Sequence, residues 1–497
     1  MPVTKLLIAN RGEIACRIVR TCRELDIPSV AIYSDSDRGS MHVRLATHSY
    51  PIGPTPSRES YLRVDKLLEV ARQTGADAIH PGYGFLGEDP EAARKVIEAG
   101  LTWIGPSPEV LEVMGNKLSA RDAAVRAGVP VLPAIFEMAD DEACVDQAKA
   151  LGFPLVVKPV VGRDGKGMRL VKTCAELRRA LPRVKGDAIF SFWDERVYLE
   201  KALVHPRYLE VQIAGDSQGN VVCLWEREGS VQRRFQQVVE EAPSPAVGPE
   251  LRQRLADAAI AIAREVKYVG IGTVEFLLDH EGNFYFLEMT CRIQGGHALT
   301  EWITGQDLVR WQIAIAQGQP LPLTQDQVPL WGHALQCRIN AEDPLREFAP
   351  SAGRLTYLRV PEGRNLRNDS GVYPGWELSP FYAPIISKLS TWGPDRAQAI
   401  ERMHAALGEY RIGGVRNNVA FHKALMEHKP FLKGELHTGM LDHSFWKQKG
   451  IGPNLKFAVA AALYEELELE QRRAQQPVAR PERPTEAWKL VGKFNRL

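Results

Sequence analysis

The first 115 residues alternate short apolar runs with helical patterns of apolar positions. Four of the apolar runs are predicted to be buried strands, at residues 6–9, 30–33, 76–79 and 103–105. Residues 14–24, between the first two runs, are predicted to form a helix. Because strands and helices that alternate in this way pack as a sheet between helices, we predict a doubly wound α/β domain over residues 1–115.

A second strand pattern occurs later, where residues 273–278 and 283–289 are predicted to form a hairpin around a turn at 279–282. Such a hairpin would bring Glu275 and Glu288 together, and two convergent carboxylates are costly unless a cation lies between them. Hard cations such as Mg²⁺ take oxygen ligands and share them with nucleotide phosphates. The pattern therefore indicates a metal and phosphate site at this hairpin.

The polar positions that follow Glu288 extend this pattern. Because alternate residues of a strand face one side, the side chains from Glu288 to Gln294 at every second position would project together while the strand persists. They are a carboxylate, a hydroxyl, a guanidinium and an amide. A solvated sheet face is the alternative, but binding of Mg²⁺ and phosphate gives such a row a chemical reason.

A loop with three glycines follows a predicted strand at 155–159, which carries Lys158 near its end. Glycines allow backbone amides to approach phosphates without a Cβ in the way. Such a loop alone is a weak signal, since a plain hairpin turn has the same composition. Its position after a lysine favours a nucleotide-binding interpretation.

The composition restricts the class of protein. With 497 residues the chain is too long for one hydrophobic core, so about two to four domains are expected. Lys plus Arg number 62 and Asp plus Glu 61, so no global field favours nucleic acid or an anionic membrane. No segment approaches the roughly 20 apolar residues that span a bilayer. The seven cysteines form no Cys-x-x-Cys pair, so neither a disulfide framework nor a zinc site is predicted, and a cytoplasmic location is expected.

Two strings of residues carry a family resemblance. Residues 286–294 read Phe-Leu-Glu-Met-Thr-Cys-Arg-Ile-Gln, and residues 80–86 read His-Pro-Gly-Tyr-Gly-Phe-Leu. With much of the chain around them, these strings resemble biotin carboxylase, the ATP-dependent component of biotin-dependent carboxylases. The resemblance implies an α/β and α+β multidomain chain: an ATP-grasp fold preceded by a doubly wound α/β N-terminal domain and followed by a biotin-carboxylase-type C-terminal domain.

On this resemblance the chain divides into five segments. They are an N-terminal α/β domain at 1–115, an ATP-grasp lid at 116–203, an ATP-grasp core at 204–330, a C-terminal domain at 331–445 and a helical and linker extension at 446–497. The extension resembles those that follow the carboxylase module in acyl-CoA carboxylases, where they contact other parts of the assembly. Intramolecular packing is the alternative.

The resemblance also implies ATP and Mg²⁺ as cofactors. Glu275 and Glu288 match the family's Mg²⁺ ligands, although Thr290 replaces an asparagine, so altered metal binding is expected. The positions that match nucleotide-binding residues of the family are Lys117, Lys158, Gly162, Gly165, Gly167, Glu200, Lys201, Leu203 and Gln232. The family has a near-continuous glycine run where this chain has three glycines, so a stiffer loop is expected.

The family's chemical residues are only partly retained. Arg292, Gln294 and Arg338 are present as catalytic candidates, and arginine suits an anion because of its bidentate fork. In the family a glutamate deprotonates bicarbonate, which then attacks the γ-phosphate, and this position is Gly296 here. A lysine that helps to hold bicarbonate corresponds to Gln237. This chain differs from the family at two further positions: Phe235 stands where the family commonly has histidine, and Ala383 where it has aspartate.

Three functions stay open on these residues. The first is a catalytically degenerate biotin carboxylase homologue with a structural or regulatory role, since a positioned base is worth about 10²–10⁴ in rate. The second is an ATP-grasp ligase with another acceptor, for which Gly295 and Gly296 would enlarge the pocket. The third is a slow biotin carboxylase in which Glu210, Glu240 or Glu241 replaces the base.

Partner proteins are also expected from the resemblance. No Met-Lys-Met biotin-attachment motif occurs in the chain, so biotin would be carried by another protein. The expected partners are a biotin carboxyl carrier protein, carboxyltransferase subunits, or both. A homodimer or hetero-oligomer is expected, because Arg17 and Arg20 lie on one predicted helix in a region through which family members commonly dimerise.

Overall fold

The computed structural model describes residues 2–136, 141–160, 167–192 and 194–441. These residues belong to one folded unit, Met1–His443. The predicted extension at 446–497 lies outside the described residues, as do Gly162 and Gly165 of the glycine loop.

The N-terminal segment is built on a parallel sheet. Its elements in chain order are β1 Leu6–Ile8, α1 Gly12–Glu24, β2 Ser29–Ser34, α2 Met41–Leu45, β3 His48–Gly53, α3 Val64–Thr74, β4 Ala78–His80, α4 Pro90–Glu98, β5 Thr102–Trp103 and α5 Pro108–Gly115. The strand order β3-β2-β1-β4-β5 confirms the doubly wound α/β prediction. Strand β3 was not predicted, because it lies at the sheet edge with only one buried residue and has no apolar run.

A small antiparallel sheet with its own core follows. The elements are α6 Lys117–Arg126, β6 Ala134–Ile135, α7 Asp141–Leu151, β7 Leu155–Pro159, β8 Arg169–Val171, α8 Cys174–Phe192 and β9 Val197–Lys201. The strand order is β6-β9-β7-β8, and β7 confirms the strand predicted at 155–159. Buried leucines and valines of β7, β9 and α8 form the core of this lid.

A large antiparallel sheet occupies the rest of the described chain. Its elements and those around it are β10 Arg207–Gly215, β11 Val221–Arg233, β12 Gln236–Ala242, α9 Pro249–Glu265, β13 Gly270–Leu278, β14 Phe284–Thr290, α10 His297–Thr304, α11 Leu308–Ala316, β15 His333–Asn340, β16 Glu342–Asp343, β17 Ala349–Pro350, β18 Gly353–Arg354, β19 Tyr357–Arg359, β20 Leu366–Ser370, β21 Glu377–Leu378, β22 Ile385–Gly393, α12 Arg396–Glu409, β23 Arg411–Gly413, α13 Val419–Met426 and α14 Lys429–Leu432. The order of its eight strands is β14-β13-β10-β11-β12-β15-β22-β20.

This sheet continues across the position where the core and the C-terminal domain were expected to divide. Strand β12 pairs with β15 in antiparallel register, with Val239 opposite Cys337 and Ala242 opposite Ala334. The hairpin β13–β14 has the predicted turn and places Glu275 directly opposite Glu288. The two carboxylates therefore share one face of the sheet.

All seven cysteines are free thiols. Among the described residues, none of the helices combines the length and the apolar character that a membrane crossing requires.

A close backbone contact near the end of β10 generates a stability prediction. A Cβ on Gly215 would lie 2.2 Å from the carbonyl oxygen of Tyr268, so Gly215→Ala should lower the free energy of unfolding by about 3 kcal/mol. The matched control is Gly186→Ala on the exposed side of α8, where a Cβ meets nothing within 4 Å. That change should stabilise by about 0.5–1 kcal/mol. Thermal unfolding of both variants checks this, and equal melting temperatures would contradict it.

Candidate active site

The two hairpin carboxylates lie in a buried hydrogen-bond network. Glu275 Oε1 accepts hydrogen bonds from Thr290 Oγ1 at 2.7 Å and from Gln294 Nε2 at 2.8 Å, and the Tyr208 hydroxyl donates to its other oxygen. Burial, followed by the negative charges of Glu288 and Glu210, raises the pKa of Glu275 well above its usual range. The Glu275 carboxylate therefore lies beside neutral donors and other carboxylates, and these hydrogen bonds give it no cationic partner.

Glu288 differs from its neighbour because it has a cationic partner. Lys117 Nζ lies 2.7 Å from Glu288 Oε2. Burial acts to raise the pKa of Glu288, but Lys117, Lys158 and the hydrogen bond with Glu275 together lower it. The lysine is the first residue of α6, where the Asn116 side chain caps the helix by accepting from two backbone N–H groups. A small cavity of about 40 Å³ borders Lys117, Glu288 and Arg292.

The donor set at this hairpin fits a divalent cation. Glu275 and Glu288 offer carboxylate oxygens on one sheet face, and Thr290 adds a hydroxyl beside them. Mg²⁺ prefers oxygen ligands, and its charge would favour the ionised form of Glu275. The residues expected to bind the metal are therefore close together.

The predicted nucleotide residues of the lid have mixed environments. Lys158 forms a buried ion pair with Glu200, and Arg121 lies 3.8 Å from the same carboxylate. Lys201 instead donates to the backbone carbonyls of Gly152 and Phe153, at 2.7 and 3.2 Å, so its ammonium anchors the lid backbone.

The remaining nucleotide candidates are distributed along the same region. Gly167 has a positive φ of 78° before β8, which favours glycine. Leu203 follows β9, and Gln232 is buried on β11 opposite Gln237. These positions stay predictions for ATP binding.

A buried arginine that was not among the predicted site residues connects the network. Arg227 on β11 is fully buried, and its acceptors are Glu210 at 3.0 Å, Gln212 at 2.7 Å, Thr300 at 2.9 Å, Thr273 at 3.2 Å and Gln294 at 2.6 Å. Every donor group of the guanidinium is thereby used. The signal in the sequence was the run Glu226-Arg227-Glu228 inside an otherwise apolar strand pattern.

Polar residues form a row across the large sheet. Glu288, Glu275, Glu210 and Arg227 are successive register partners on β14, β13, β10 and β11. Strand β14 ends at Thr290, so the strand alternation does not extend to the last two candidates. Gln294 still reaches Glu275, whereas Arg292 pairs with Glu88 at 3.1 Å.

The third catalytic candidate, Arg338, binds a carboxylate of its own chain. Its Nε and a terminal nitrogen donate to the two oxygens of Glu240 at 3.1 and 2.9 Å, as a bidentate fork. Arg338 also donates to Gln237 Oε1 at 3.0 Å, and Gln237 Nε2 donates to Glu210 at 2.8 Å. The arginine predicted to bind an anion is therefore already paired with a carboxylate.

The position of the family's general base is filled by neighbouring side chains. A Cβ on Gly296 would lie 2.7 Å from Glu240 Oε1 and 3.0 Å from Arg227 Nε. On the neighbouring glycine, a Cβ would lie 3.4 Å from Arg338. The expected enlargement of the pocket is therefore not found at Gly296, where charged groups occupy the space, whereas a Cβ at Gly295 would make only an ordinary contact.

The three carboxylates considered as substitute bases have different surroundings. Burial raises the pKa of Glu210, with Arg227 opposing this and Glu240 adding to it. Burial also acts to raise the pKa of Glu240, but Arg338, Arg227 and Gln336 together lower it. Glu241 points elsewhere, towards His333 and Arg396, each at 2.7 Å.

The two other departures from the family pattern lie away from this network. Phe235 is 51% exposed at the turn between β11 and β12. Ala383 lines a separate cavity between the N-terminal and C-terminal domains.

Three family models match the chain. "Biotin carboxylase, N-terminal domain" matches residues 2–111, "Carbamoyl-phosphate synthase L chain, ATP binding domain" matches residues 116–324, and "Biotin carboxylase C-terminal domain" matches residues 336–443. These matches and the antiparallel core with its lid place the chain among the ATP-grasp proteins.

A similar protein narrows the class further. Biotin carboxylase of Halalkalibacterium halodurans is 47% identical to this chain. The match covers 90% of this chain and 99% of that protein. The chain belongs to the biotin carboxylase family.

Solved structures have the same fold. The biotin carboxylase domain dimer of 2-oxoglutarate carboxylase from Hydrogenobacter thermophilus, in complex with MgADP, ADP and bicarbonate, superposes with a TM-score of 0.86. It is 40% identical, and the match covers 88% of this chain and 97% of that one. The biotin carboxylase subunit of pyruvate carboxylase is 42% identical over the same shares of the two chains, with a TM-score of 0.76.

The carboxylate pair generates a pH-dependent prediction for Glu275→Gln. Because the pKa of Glu275 is raised in the folded state, its contribution to stability is complete below the unfolded value near 4.5 and is lost as the pH rises towards the folded pKa. The metal-free variant should therefore gain stability over wild type between pH 5 and pH 8. Mg²⁺ should stabilise wild type at pH 8 but not the variant.

Thermal unfolding with and without Mg²⁺ at both pH values measures these effects. Glu281→Gln in the exposed turn of the same hairpin is the matched control and should behave as wild type. A Glu275→Gln protein that is less stable than wild type at pH 8 without metal would contradict the prediction.

Proposed function

We propose that this chain is the ATP-binding biotin carboxylase subunit of a biotin-dependent carboxylase complex of the acyl-CoA carboxylase type, with impaired deprotonation of bicarbonate. One observation carries the proposal: the base position is Gly296, and its space is occupied by Glu240, which is held by Arg338. The chain retains the binding scaffold of its family but not the group that activates the acceptor.

The nucleotide part of the proposal rests on retained residues. Lys117, Lys158 and Glu200 would contribute to an ATP site, with Glu275 and Glu288 holding Mg²⁺. Mg²⁺, when bound, supplies positive charge against the phosphates. Lys117 and Lys158 now pair with carboxylates, so nucleotide binding exchanges these partners for phosphate oxygens.

The chemical part of the proposal rests on what bicarbonate would meet. Gly296 has no side chain to accept its proton, and Gln237 has no charge to hold it. Arg338 already gives three hydrogen bonds to Glu240 and Gln237 through Nε and one terminal nitrogen, so it would meet an anion with a charge that Glu240 has largely neutralised. A missing base costs roughly 3–5.5 kcal/mol in the barrier, which leaves an uncompetitive carboxylase.

The role within a complex follows from the family. Biotin would reside on a biotin carboxyl carrier protein, and carboxyltransferase subunits would complete the assembly. A place in a larger complex is supported by the similar structure described as the biotin carboxylase subunit of pyruvate carboxylase, and a dimer by the one described as a domain dimer. Within this chain, Arg17 is occupied by Glu301 at 2.9 Å and Asp307 at 2.7 Å, whereas Arg20 is exposed.

A second candidate function is favoured by the same geometry. Because Glu240 Oε1 occupies the space beside Gly296, its carboxylate could accept the proton of bicarbonate in a slow but authentic biotin carboxylase. Its lowered pKa makes it a weak base, which is why impaired chemistry is preferred. An acceptor other than bicarbonate has no specific support, since charged side chains occupy the space beside Gly296.

The first prediction restores the missing groups. Wild type should bind MgADP in calorimetry but show no ADP release that depends on bicarbonate and free biotin. Gly296→Glu/Gln237→Lys should gain such release, because the base and the cation return together; the Glu240 carboxylate, which lies 2.7 Å from the new Cβ, has to turn aside to admit the new side chain. The matched control is Gly296→Gln/Gln237→Lys, which has the same size but no base and should be about 10²-fold slower or more.

Two outcomes of these measurements would contradict the proposal. Ordinary bicarbonate- and biotin-dependent turnover by wild type would refute the impairment. A wild type that does not bind MgADP would refute the nucleotide part of the proposal.

The second prediction separates the two candidates through Glu240. If this residue is the substitute base, Glu240→Gln should lower any residual bicarbonate-dependent ADP release by about 10²-fold or more, with MgADP affinity unchanged. Glu347→Gln, at an exposed glutamate, is the control and should keep the residual rate. An unchanged rate in Glu240→Gln would eliminate the substitute-base function.

A further inference from the structure

Two neighbouring segments of the C-terminal domain carry an unbalanced charge. Residues 353–360 and 410–417, which we call the basic ribbon, contain four arginines and no acidic residue. The segments lie side by side, since β19 pairs with β23 and the Thr356 N–H donates to the carbonyl oxygen of Gly413 at 3.0 Å. The whole chain has 62 basic and 61 acidic residues, so the excess of positive charge is a local feature of this surface.

Two of these arginines lie directly opposite each other across the ribbon. Arg359 on β19 is the register partner of Arg411 on β23, and both are exposed. Like charges in directly opposite positions destabilise a pair of strands. Charged side chains also protect an exposed strand edge against aggregation, but one arginine, or one charge of each sign, would give that protection without the repulsion. An anion between the two guanidinium groups would relieve the repulsion.

The arginines of the basic ribbon lack the carboxylate partners that other surface arginines have. Arg63 and Arg126, for example, each lie 2.6 Å from a carboxylate oxygen. Within the part of the chain that the structure describes, no ion pair is formed by the four arginines of the ribbon, which are Arg354, Arg359, Arg411 and Arg416. The positive charge of the ribbon is therefore uncompensated.

Backbone carbonyls hold two of these guanidinium groups in place. One terminal nitrogen of Arg411 donates to the carbonyl oxygens of Gly408 and Tyr410, at 2.6 and 3.0 Å. Arg354 Nε donates to the carbonyl oxygen of Gly375 at 3.2 Å. Carbonyl groups carry no net charge, so these contacts orient the arginines without neutralising them. A side chain that is already oriented loses less conformational freedom when it binds a carboxylate.

The shape of the basic ribbon fits an extended polypeptide better than a small molecule. None of its arginines lines either of the two cavities described above, whereas small-molecule sites are concave. The chain from Arg354 to Arg359 spans about 17 Å when extended, so one small anion cannot contact both ends. Tyr357 is 55% exposed and lies on the same strand face as Arg359. Tyrosine and arginine are the residue types that most often anchor protein interfaces.

We propose that the basic ribbon docks an acidic, extended segment of a partner protein. Carboxylates of the segment pair with the arginines along the ribbon, and its backbone packs against Tyr357. This surface is separate from the proposed nucleotide and bicarbonate chemistry and does not depend on it.

The probe for this surface is a fluorescein-labelled peptide of six glutamates, titrated with the full chain at low salt and followed by fluorescence anisotropy. The matched ligand is labelled diglutamate, which has the same acidic groups but cannot span the ribbon. The longer peptide should bind with a dissociation constant of about 100 µM or lower, and diglutamate should bind at least about tenfold more weakly.

Two results with these ligands would overturn the proposal. Equal affinity for the two peptides would show that length does not matter. Displacement of the longer peptide by an equal concentration of inorganic pyrophosphate would assign the arginines to a small anion instead of a polypeptide.

One substitution locates the binding and tests the repulsion at the same time. Arg359→Glu replaces the like-charge pair by an opposite-charge pair with Arg411, so the variant should melt at a higher temperature than wild type. It should bind the longer peptide at least about tenfold more weakly, because its new carboxylate repels the ligand. The matched control is Arg183→Glu, at an exposed arginine of α8, which should bind the peptide as wild type does.

Three results with the variants would contradict the proposal. Unchanged binding by Arg359→Glu would place the peptide elsewhere, and an equal loss of binding in both variants would show a response to net charge alone. A smaller species in sedimentation of Arg359→Glu without peptide, compared with wild type, would show that this face is an interface between copies of the chain.

Discussion

The complete burial of the Arg227 guanidinium is the constraint on which the active-site geometry depends. A guanidinium withdrawn from water is tolerated only where its N–H groups meet acceptors, and leaving such a charge unpaired costs about 3–5 kcal/mol. The acceptors come from β10, β13, α10 and the segment after β14. These elements are therefore held in one arrangement, and Gln294 is directed at Glu275 although the strand has already ended.

The departures at positions 237 and 296 are consistent with this constraint when they are taken together. The family residues at these positions carry opposite charges, so Gln237 and Gly296 jointly leave the net charge of the site unchanged. Gln237 accepts from Arg338 and donates to Glu210, and Glu240 fills the vacated space. Loss of only one of the two charges would leave a buried partner uncompensated. The two substitutions together therefore preserve the electrostatic balance of the site.

The sequence predicted those parts of the molecule whose signal is local. The apolar runs of β1, β2, β4 and β7 and the hairpin that pairs Glu275 with Glu288 were predictable from strand patterns. The edge strand β3 was not, because exposure leaves it no apolar run. The role of Arg227 was not predictable either. A charged residue in a strand can be recognised as buried only when it is known that helix α10 covers that face of the sheet. The occupation of the space beside Gly296 depends on a side-chain rotamer of Glu240, which no pattern encodes.

The uninterrupted sheet from β14 to β20 has a consequence for how such chains diversify. Strand β15 carries Arg338 and pairs with β12, which carries Glu240. The C-terminal segment therefore supplies both backbone hydrogen bonds and a positive charge to the ATP-grasp core. If recombination near residue 331 exchanged this segment between relatives, strand β12 would pair with a foreign strand. Glu240 would at the same time face a foreign side chain in place of Arg338. We therefore expect active-site residues in this family to change by point substitution, as at Gln237 and Gly296. Exchange of the whole C-terminal segment between relatives is not expected.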